Sequence, residues 1–282
     1  MTAPHGSWRV PISVFPHLSG HYQTGTRLLL NFSDYGTKAL LEHIPDNQKV
    51  IARYGRIIGD PNRKRNNEDV VRLEDFGGVH IFRKSFEDRL TKSWVKSFWL
   101  KKLLLKSYEP FYRDVFNVIE KIAKHPKNKD KPVILLDIHD TGNRMLGRTW
   151  REDKTRKTKH IPPVVISNAP DEIIDDETSG TAPMSFLEDF RETLADKLDL
   201  SEKEIEINTV FQGGNVIRYF GNPNNNRKLK KILCHKPIYA IQVEFNRALY
   251  LDEVTQRTIP WKMRLVRAAL TETVQEMCGE MS

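Results

Sequence analysis

The run Pro132-Val133-Ile134-Leu135-Leu136-Asp137-Ile138-His139-Asp140 brings an imidazole and two carboxylates to the end of an apolar segment. Val133 to Ile138 reads as a strand covered on both faces, as in the parallel sheets of α/β proteins, where ligands bind beyond the carboxyl ends of the strands. Imidazole and carboxylate there can hold a metal or move a proton; the bland alternative is a hydrogen-bonded histidine between turn residues.

The same pattern recurs, which strengthens the chemical reading. A first strand, Val10 to Phe15, ends at Pro16-His17, with Ser19, Gly20 and His21 next. A second, Val50 to Ile58, carries Arg56 and ends in Gly59-Asp60-Pro61-Asn62-Arg63. The last, Tyr239 to Phe245, places Glu244 inside an apolar run, where an unpaired carboxylate would cost several kcal/mol. Such a residue is either paired with a cation for structural reasons or is a general base whose pKa burial has raised. Two histidines and a carboxylate around an open-coordination Zn²⁺, with a further Glu as base, is a common arrangement for amide hydrolysis. An Arg would stabilise the oxyanion, and Arg63 is a candidate for bidentate contact with an anionic substrate.

The elements that must position these groups alternate along the chain. Thr37 to His43 reads as helix, Trp94 to Ala123 as a long helical region interrupted near Pro110, and Val164 to Ser167 as a strand. Ser185 to Leu198 reads as a helix with Ser185 as N-cap, Ile205 to Val210 as a strand, Gln212-Gly213-Gly214 as a turn and Met263 to Met277 as the last helix. The expectation is an α/β fold with a mixed, mostly parallel sheet and helices on both faces, in one domain over 1–282, since there is no internal repeat or low-complexity linker. Asp60 to Asp75 and Arg144 to Pro163 are long polar segments of the length usual for functional or mobile loops.

Composition narrows the class. The 282 residues hold no apolar stretch of the ~18 residues a membrane span needs, and Met1-Thr2-Ala3-Pro4-His5-Gly6-Ser7 lacks the features of a secretory signal. Cys234 and Cys278 are far apart with no metal-spaced partners, which argues against a disulfide framework or a Cys-based zinc finger and fits a reducing cytoplasm. The net charge of +8 raises the question of nucleic acid. Its excess lies in Arg83 to Lys106, Arg148 to Lys159 and Arg227 to Lys231. The first, with Trp94, Phe98 and Leu105 at helical spacing, reads as an amphipathic helix with a solvated basic face, and the others as exposed loops. No nucleic-acid-binding signature accompanies them.

Taken in order, these segments resemble the N-formylglutamate amidohydrolase family, of the superfamily that includes zinc carboxypeptidases and aspartoacylase. Pro16-His17-Leu18-Ser19-Gly20 is similar to the family's Pro-His-Ser-Gly with one residue added, and Arg56 to Arg63 to its Arg-x-x-x-Asp-x-Asn-Arg element. Asp137-Ile138-His139 matches Asp-x-His, and Phe211-Gln212-Gly213-Gly214-Asn215-Val216-Ile217-Arg218 resembles Phe-x-Gly-Gly-x-Ile-x-Arg. Gln242-Val243-Glu244 with Leu249-Tyr250-Leu251-Asp252-Glu253 resembles Gln-x-Glu…Leu-Tyr-Met-Asp-Glu.

The resemblance implies a phosphorylase/hydrolase-like fold and zinc-dependent hydrolysis of an N-formyl or other N-acyl acidic amino acid, with one Zn²⁺ per chain. His17, Asp34 and His139 would be the metal ligands, with His21 and Asp60 as rivals for the third position. Glu244 would be the general base and Arg56 would polarise the carbonyl. Asn62, Arg63 and Arg218 would hold the substrate anion. Three features depart from the pattern: the inserted Leu18, Asp140 where the family usually has Ser, and the basic stretch Asp153 to His160. Two other readings compete: a peptidase or cell-wall amidase of the same superfamily, and a non-catalytic basic binding module on this scaffold. The partner expected is a small anionic amide, without nucleic acid or membrane.

Overall fold

Val-, Ile- and Leu-rich runs form two nine-residue strands on which the other elements are arranged. The computed structural model describes residues 1–24, 33–67, 70–74, 78–91, 93–142, 161–170, 180–252, 255 and 257–279, without the side chains of 93–97 and 225. Asp153 to His160, most of Arg144 to Pro163, and Glu253 lie outside that description.

In chain order the elements are β1 (Thr2–Ala3), α1 (Gly20–Thr24), α2 (Tyr35–Leu40), β2 (Val50–Ile51), α3 (Lys84–Thr91), α4 (Ser93–Lys106), α5 (Tyr108–Lys124), β3 (Val133–Thr141) and β4 (Val164–Ser167). They continue as α6 (Met184–Leu198), β5 (Ile205–Ile207), α7 (Asn215–Phe220), α8 (Arg227–Leu233), β6 (Ile238–Asn246), β7 (Leu251–Asp252), β8 (Arg257–Thr258) and α9 (Pro260–Met277). The main sheet has the order β2-β1-β3-β6-β4-β5. Its β2, β1, β3 and β6 are parallel, while β4 runs antiparallel to β6 and pairs in parallel with β5. This is the mixed, mostly parallel α/β sheet that the alternation of elements predicts.

Strand periodicity explains both cores and the site. Val133, Leu135, Ile238 and Ala240 point to one face and pack with Phe111, Val115 and Ile119 of α5 and with residues of α7 and α8. Leu136, Ile138, Ile241 and Val243 point to the other and pack with Phe186 and Phe190 of α6 and Val266 and Leu270 of α9. Each of the larger side chains stabilises the fold by ~1.5–3 kcal/mol relative to exposure. Toward the carboxyl ends the first face changes character, and the register sets Asp137 beside Gln242 and His139 beside Glu244. Apolar residues anchor the strands; the polar residues two and four positions on line their ends.

Several elements differ from expectation. Val10 to Phe15 is not a strand: the amides of Val14 and Phe15 both donate to Pro11 O, and the chain turns into a 3₁₀ helix over Phe15–His17. The first strand is instead Thr2–Ala3, two residues wedged between β2 and β3, too short for an apolar alternation to announce it. The second strand is likewise confined to Val50–Ile51. The long helical region breaks at Ser107, while Pro110 sits in the first turn of α5, where its missing N–H costs nothing. The N-cap of α6 is Pro183, not Ser185. On α4 the phase also differs, because Phe98 and Leu105 are exposed (62% and 55%) while Leu103 and Leu104 are buried.

Candidate active site

Three groups converge at the carboxyl ends of β1 and β3. His5 lies two residues beyond β1, Asp34 is the residue before α2, and His139 lies in β3. His5 Nδ1 and His139 Nδ1 face the same oxygen, Asp34 Oδ2, at 3.1 and 2.8 Å. All three residues are buried, and their potential ligand atoms lie within 4.8 Å of one another. The local fold enforces the meeting, since the amide of Asp34 donates to His5 O and Thr37 Oγ1 donates to Asp34 O.

Each imidazole is fixed from behind by a second carboxylate. His5 Nε2 meets Asp60 Oδ1 at 2.7 Å and His139 Nε2 meets Asp137 Oδ2 at 3.0 Å. Asp137 is in turn held by the hydroxyl of Thr2, its register partner on β1, at 2.6 Å. Asp60 accepts Arg56 Nε–H and Nη2–H at 3.1 and 2.9 Å and the amide of Asn62, with Arg63 Nε at 3.6 Å. Burial opposes charge on these groups, but specific partners win. The Asp60 carboxyl is held below the usual range chiefly by Arg56, then by His5. Asp34 is held well below its ordinary value by the two imidazoles, and His139 well above by Asp137 and Asp34.

Glu244 is the exception. Buried among carboxylates, it is pushed up to about 8, since desolvation and the charges of Asp34 and Asp140 outweigh His139 and Arg56. Its orientation is set by Gln242, whose Oε1 accepts the amide of Gly214 at 2.9 Å and whose Nε2 donates to Glu244 Oε2 at 3.1 Å. A buried carboxyl with a pKa near neutrality, paired in register with His139 on the neighbouring strand, is equipped to carry a proton.

The structure brings Asp34, His139, Glu244, Arg56, Asn62 and Arg63 together, and leaves out His17. That ring stacks on Phe86 at 4.3 Å and meets Trp99 edge-on, in a small cavity of about 60 Å³ also lined by Ser13, Lys102 and Lys106. His5 occupies the place expected of His17. The reason lies in the misread first strand: the histidine that follows a sheet strand is in Pro4-His5-Gly6-Ser7, twelve residues earlier. The signal was visible as a second Pro-His pair, but the two-residue strand before it carries no pattern. His21 is exposed on α1, and Asp60 lies behind His5 rather than against Asp34.

Asn62 is more committed than a residue waiting for substrate. Its Oδ1 accepts the amide of Val216 at 3.1 Å and its Nδ2 lies 3.2 Å from His139 Nε2, so it ties the start of α7 to the site. A Cβ on Gly214 would come within 2.1 Å of the Asn62 amide, so the glycine is required by this approach. The loop Asp60 to Arg63 is held on α5 by Tyr112, which donates to Pro61 O at 2.9 Å, and Tyr108, which donates to Arg63 O at 3.1 Å. Sequence reasoning missed both tyrosines; their spacing of one helical turn was the available sign. Arg218 is exposed on α7.

A model of the N-formylglutamate amidohydrolase family matches residues 1–251. The chain belongs to that family. This makes it an amidohydrolase, an enzyme that hydrolyses an amide. Among solved structures it is similar to an N-formylglutamate amidohydrolase from Ralstonia eutropha JMP134, at a TM-score of 0.66 and 16% identity over 98% of this chain and 92% of that one. It is also similar to the gene product Atu2144 from Agrobacterium tumefaciens, at 0.52 and 14% over 96% and 89%. At such identities the likeness is one of fold. No curated protein sequence matches the chain. Among the described residues no helix is long and apolar enough to cross a membrane.

The donor set suits a divalent cation. Two imidazoles and a carboxylate present one atom each to a common point, and the far nitrogen of each imidazole is already engaged by a carboxylate, the usual support for a metal-ligating histidine. A cation taking the Nδ1 lone pairs would leave Nε2–H of His5 on Asp60 and of His139 on Asp137. It would also offset a concentration of buried carboxylates, Asp34, Asp137 and Glu244.

Proposed function

We propose that this amidohydrolase acts on a small N-acyl, in particular N-formyl, acidic amino acid, with one Zn²⁺ held by His5, Asp34 and His139. The observation that carries the reading is the convergence of two carboxylate-backed imidazoles on Asp34 Oδ2 beside a Glu whose pKa is raised. When bound, the metal supplies a Lewis acid that makes water nucleophilic near neutral pH and polarises an amide carbonyl.

The chain's own residues do the rest. Glu244, aimed by Gln242, takes a proton from the attacking water and returns it to the leaving amine. Arg56 is fixed on Asp60 through Nε and Nη2, and its other N–H donors take the role of stabilising the developing oxyanion. Arg63 and Arg218 provide cations for the substrate carboxylates, while Asn62 acts mainly by fixing the start of α7 beside His139. In this reading the whole chain forms one catalytic unit working in the cytoplasm.

The test is elemental analysis of protein purified without a metal column, paired with an assay of amine release from N-formylglutamate and a panel of N-acyl amino acids. About one zinc per chain with turnover supports the reading. Turnover that survives complete metal removal would overturn the metal assignment, and zinc without turnover on any acidic substrate would overturn the substrate assignment.

A further inference from the structure

One buried arginine lies behind the site and is used by none of the steps above. Arg247 follows β6 and is 3% exposed. Its Nε donates to Asp140 Oδ1 and its Nη2 to Ser33 O, and the guanidinium lies 5.1 Å from the ring centroid of Tyr35. Asp140 Oδ2 accepts the Tyr250 hydroxyl at 2.8 Å. Asp140 is the neighbour of His139 and points to the opposite face of the strand, while Ser33 and Tyr35 flank Asp34. The cluster is closely filled, since a Cβ on Gly36 would come within 2.6 Å of both Asp140 Oδ2 and the Tyr250 ring.

We propose that Arg247 is a positioning residue, which clamps Ser33 to Asp140 from the back of the sheet and thereby fixes Asp34 relative to His139. Resting on the assignment of His5, Asp34 and His139 as a metal centre, this adds what holds the third ligand in place. Asp34 comes from a loop 105 residues before His139, and its distance to His139 is defined only as well as that loop is tied down. A planar guanidinium suits the task because it reaches two acceptors in fixed directions, which an ammonium cannot. It also explains why an aspartate after His139 is compatible with the fold: Asp140 is the anchor of the clamp.

The experiment compares the full-length wild type with Arg247→Lys and with the double variant Arg247→Leu/Asp140→Asn, which removes the clamp without leaving one buried charge alone. Three readouts are taken: Co²⁺ affinity by chelator competition with the visible spectrum of the bound ion, kcat and KM separately, and the downfield imidazole N–H resonances of the metal-free protein. The expected result for the double variant is a wild-type circular dichroism spectrum with Co²⁺ affinity reduced ~10- to 100-fold, as for loss of outer partners of a metal ligand. Its kcat should fall while KM changes little, and the N–H resonance of His139 facing Asp34 should shift or broaden. Arg247→Lys should restore part of each loss.

If the double variant folds and keeps all three readouts, Arg247 serves only to balance the charge of Asp140 and the proposal is overturned. If it fails to fold, Arg247→Lys and Tyr250→Phe are read by the same measures, and wild-type values in both overturn it. A wild type that binds no Co²⁺ would refute the metal centre instead, and the imidazole resonances would then decide on the clamp alone.

Discussion

His5 and His139 stand edge to face, with ring centroids 4.8 Å apart and planes at 72°, and both turn Nδ1 toward one oxygen of Asp34. Two rings can share an acceptor in this way only if each is held from its far side, which Asp60 and Asp137 do. The relationship between these histidines, rather than either alone, defines the candidate centre.

Substituting the two rival histidines separates the assignments. His5→Ala should lose bound zinc and at least ~10²-fold in turnover, whereas His17→Ala, at a site walled by Phe86 and Trp99, should keep both within a few-fold. Zinc per chain by elemental analysis checks this; loss of metal in His17→Ala with retention in His5→Ala would reverse the assignment.

Glu244→Gln preserves shape and removes the base. It should retain metal and lose at least ~10²-fold in kcat, while Gln242→Leu, which leaves Glu244 without its orienting donor, should lose less. Steady-state kinetics on the metal-loaded proteins decides the matter, and wild-type kcat in Glu244→Gln would remove it from the mechanism.

Stability of the metal-free protein should respond to pH with opposite signs at two carboxyls. Glu244, raised to about 8, contributes stability present below its unfolded value and lost as pH rises toward 8, so the melting temperature of Glu244→Gln minus that of wild type should grow from pH 5 to 9. Asp60, held below the usual range by Arg56 and His5, contributes stability that is present above about pH 4 and lost on further acidification. Asp60→Asn should therefore cost most near neutrality and least in acid. Thermal melts across pH, with chelator present, test both; a pH-independent difference in either variant would contradict the assignment.

Gly214→Ala would drive a methyl group into the Asn62 amide. Overpacking of this kind typically costs 1–3 kcal/mol, or about 2–5 °C in melting temperature at this chain length, and here it should also lower turnover because Asn62 touches His139. Unchanged melting and kinetics would show that Asn62 moves aside without consequence.

Basic and aromatic residues illustrate where a linear reading fails. Arg83 to Lys106 reads as one amphipathic helix with Phe98 and Leu105 on its apolar face, yet Phe98 and Leu105 face outward, since which stripe is buried depends on what lies opposite. By contrast the readings Val133 to Ile138 and Tyr239 to Phe245 both fall inside their strands. β6 extends one residue further at each end and β3 continues through His139, Asp140 and Thr141, because an apolar run buried on both faces marks a strand while its polar end does not.

By itself the sequence determined the α/β alternation, the two central strands, and the polar residues Asp137, His139, Gln242 and Glu244 at their ends, since a two-residue periodicity dictates which side chains share a face. It also carried the family resemblance through short ordered motifs. The tertiary structure alone decided that His5 rather than His17 joins Asp34 and His139, that Asn62 accepts the amide of Val216, and that Arg247 reaches Asp140 and Ser33. Each of these depends on a long-range contact made by a two-residue strand or a loop, and such segments bury too few side chains to leave a pattern. Their positions are set by the partners they meet, which only the folded chain specifies.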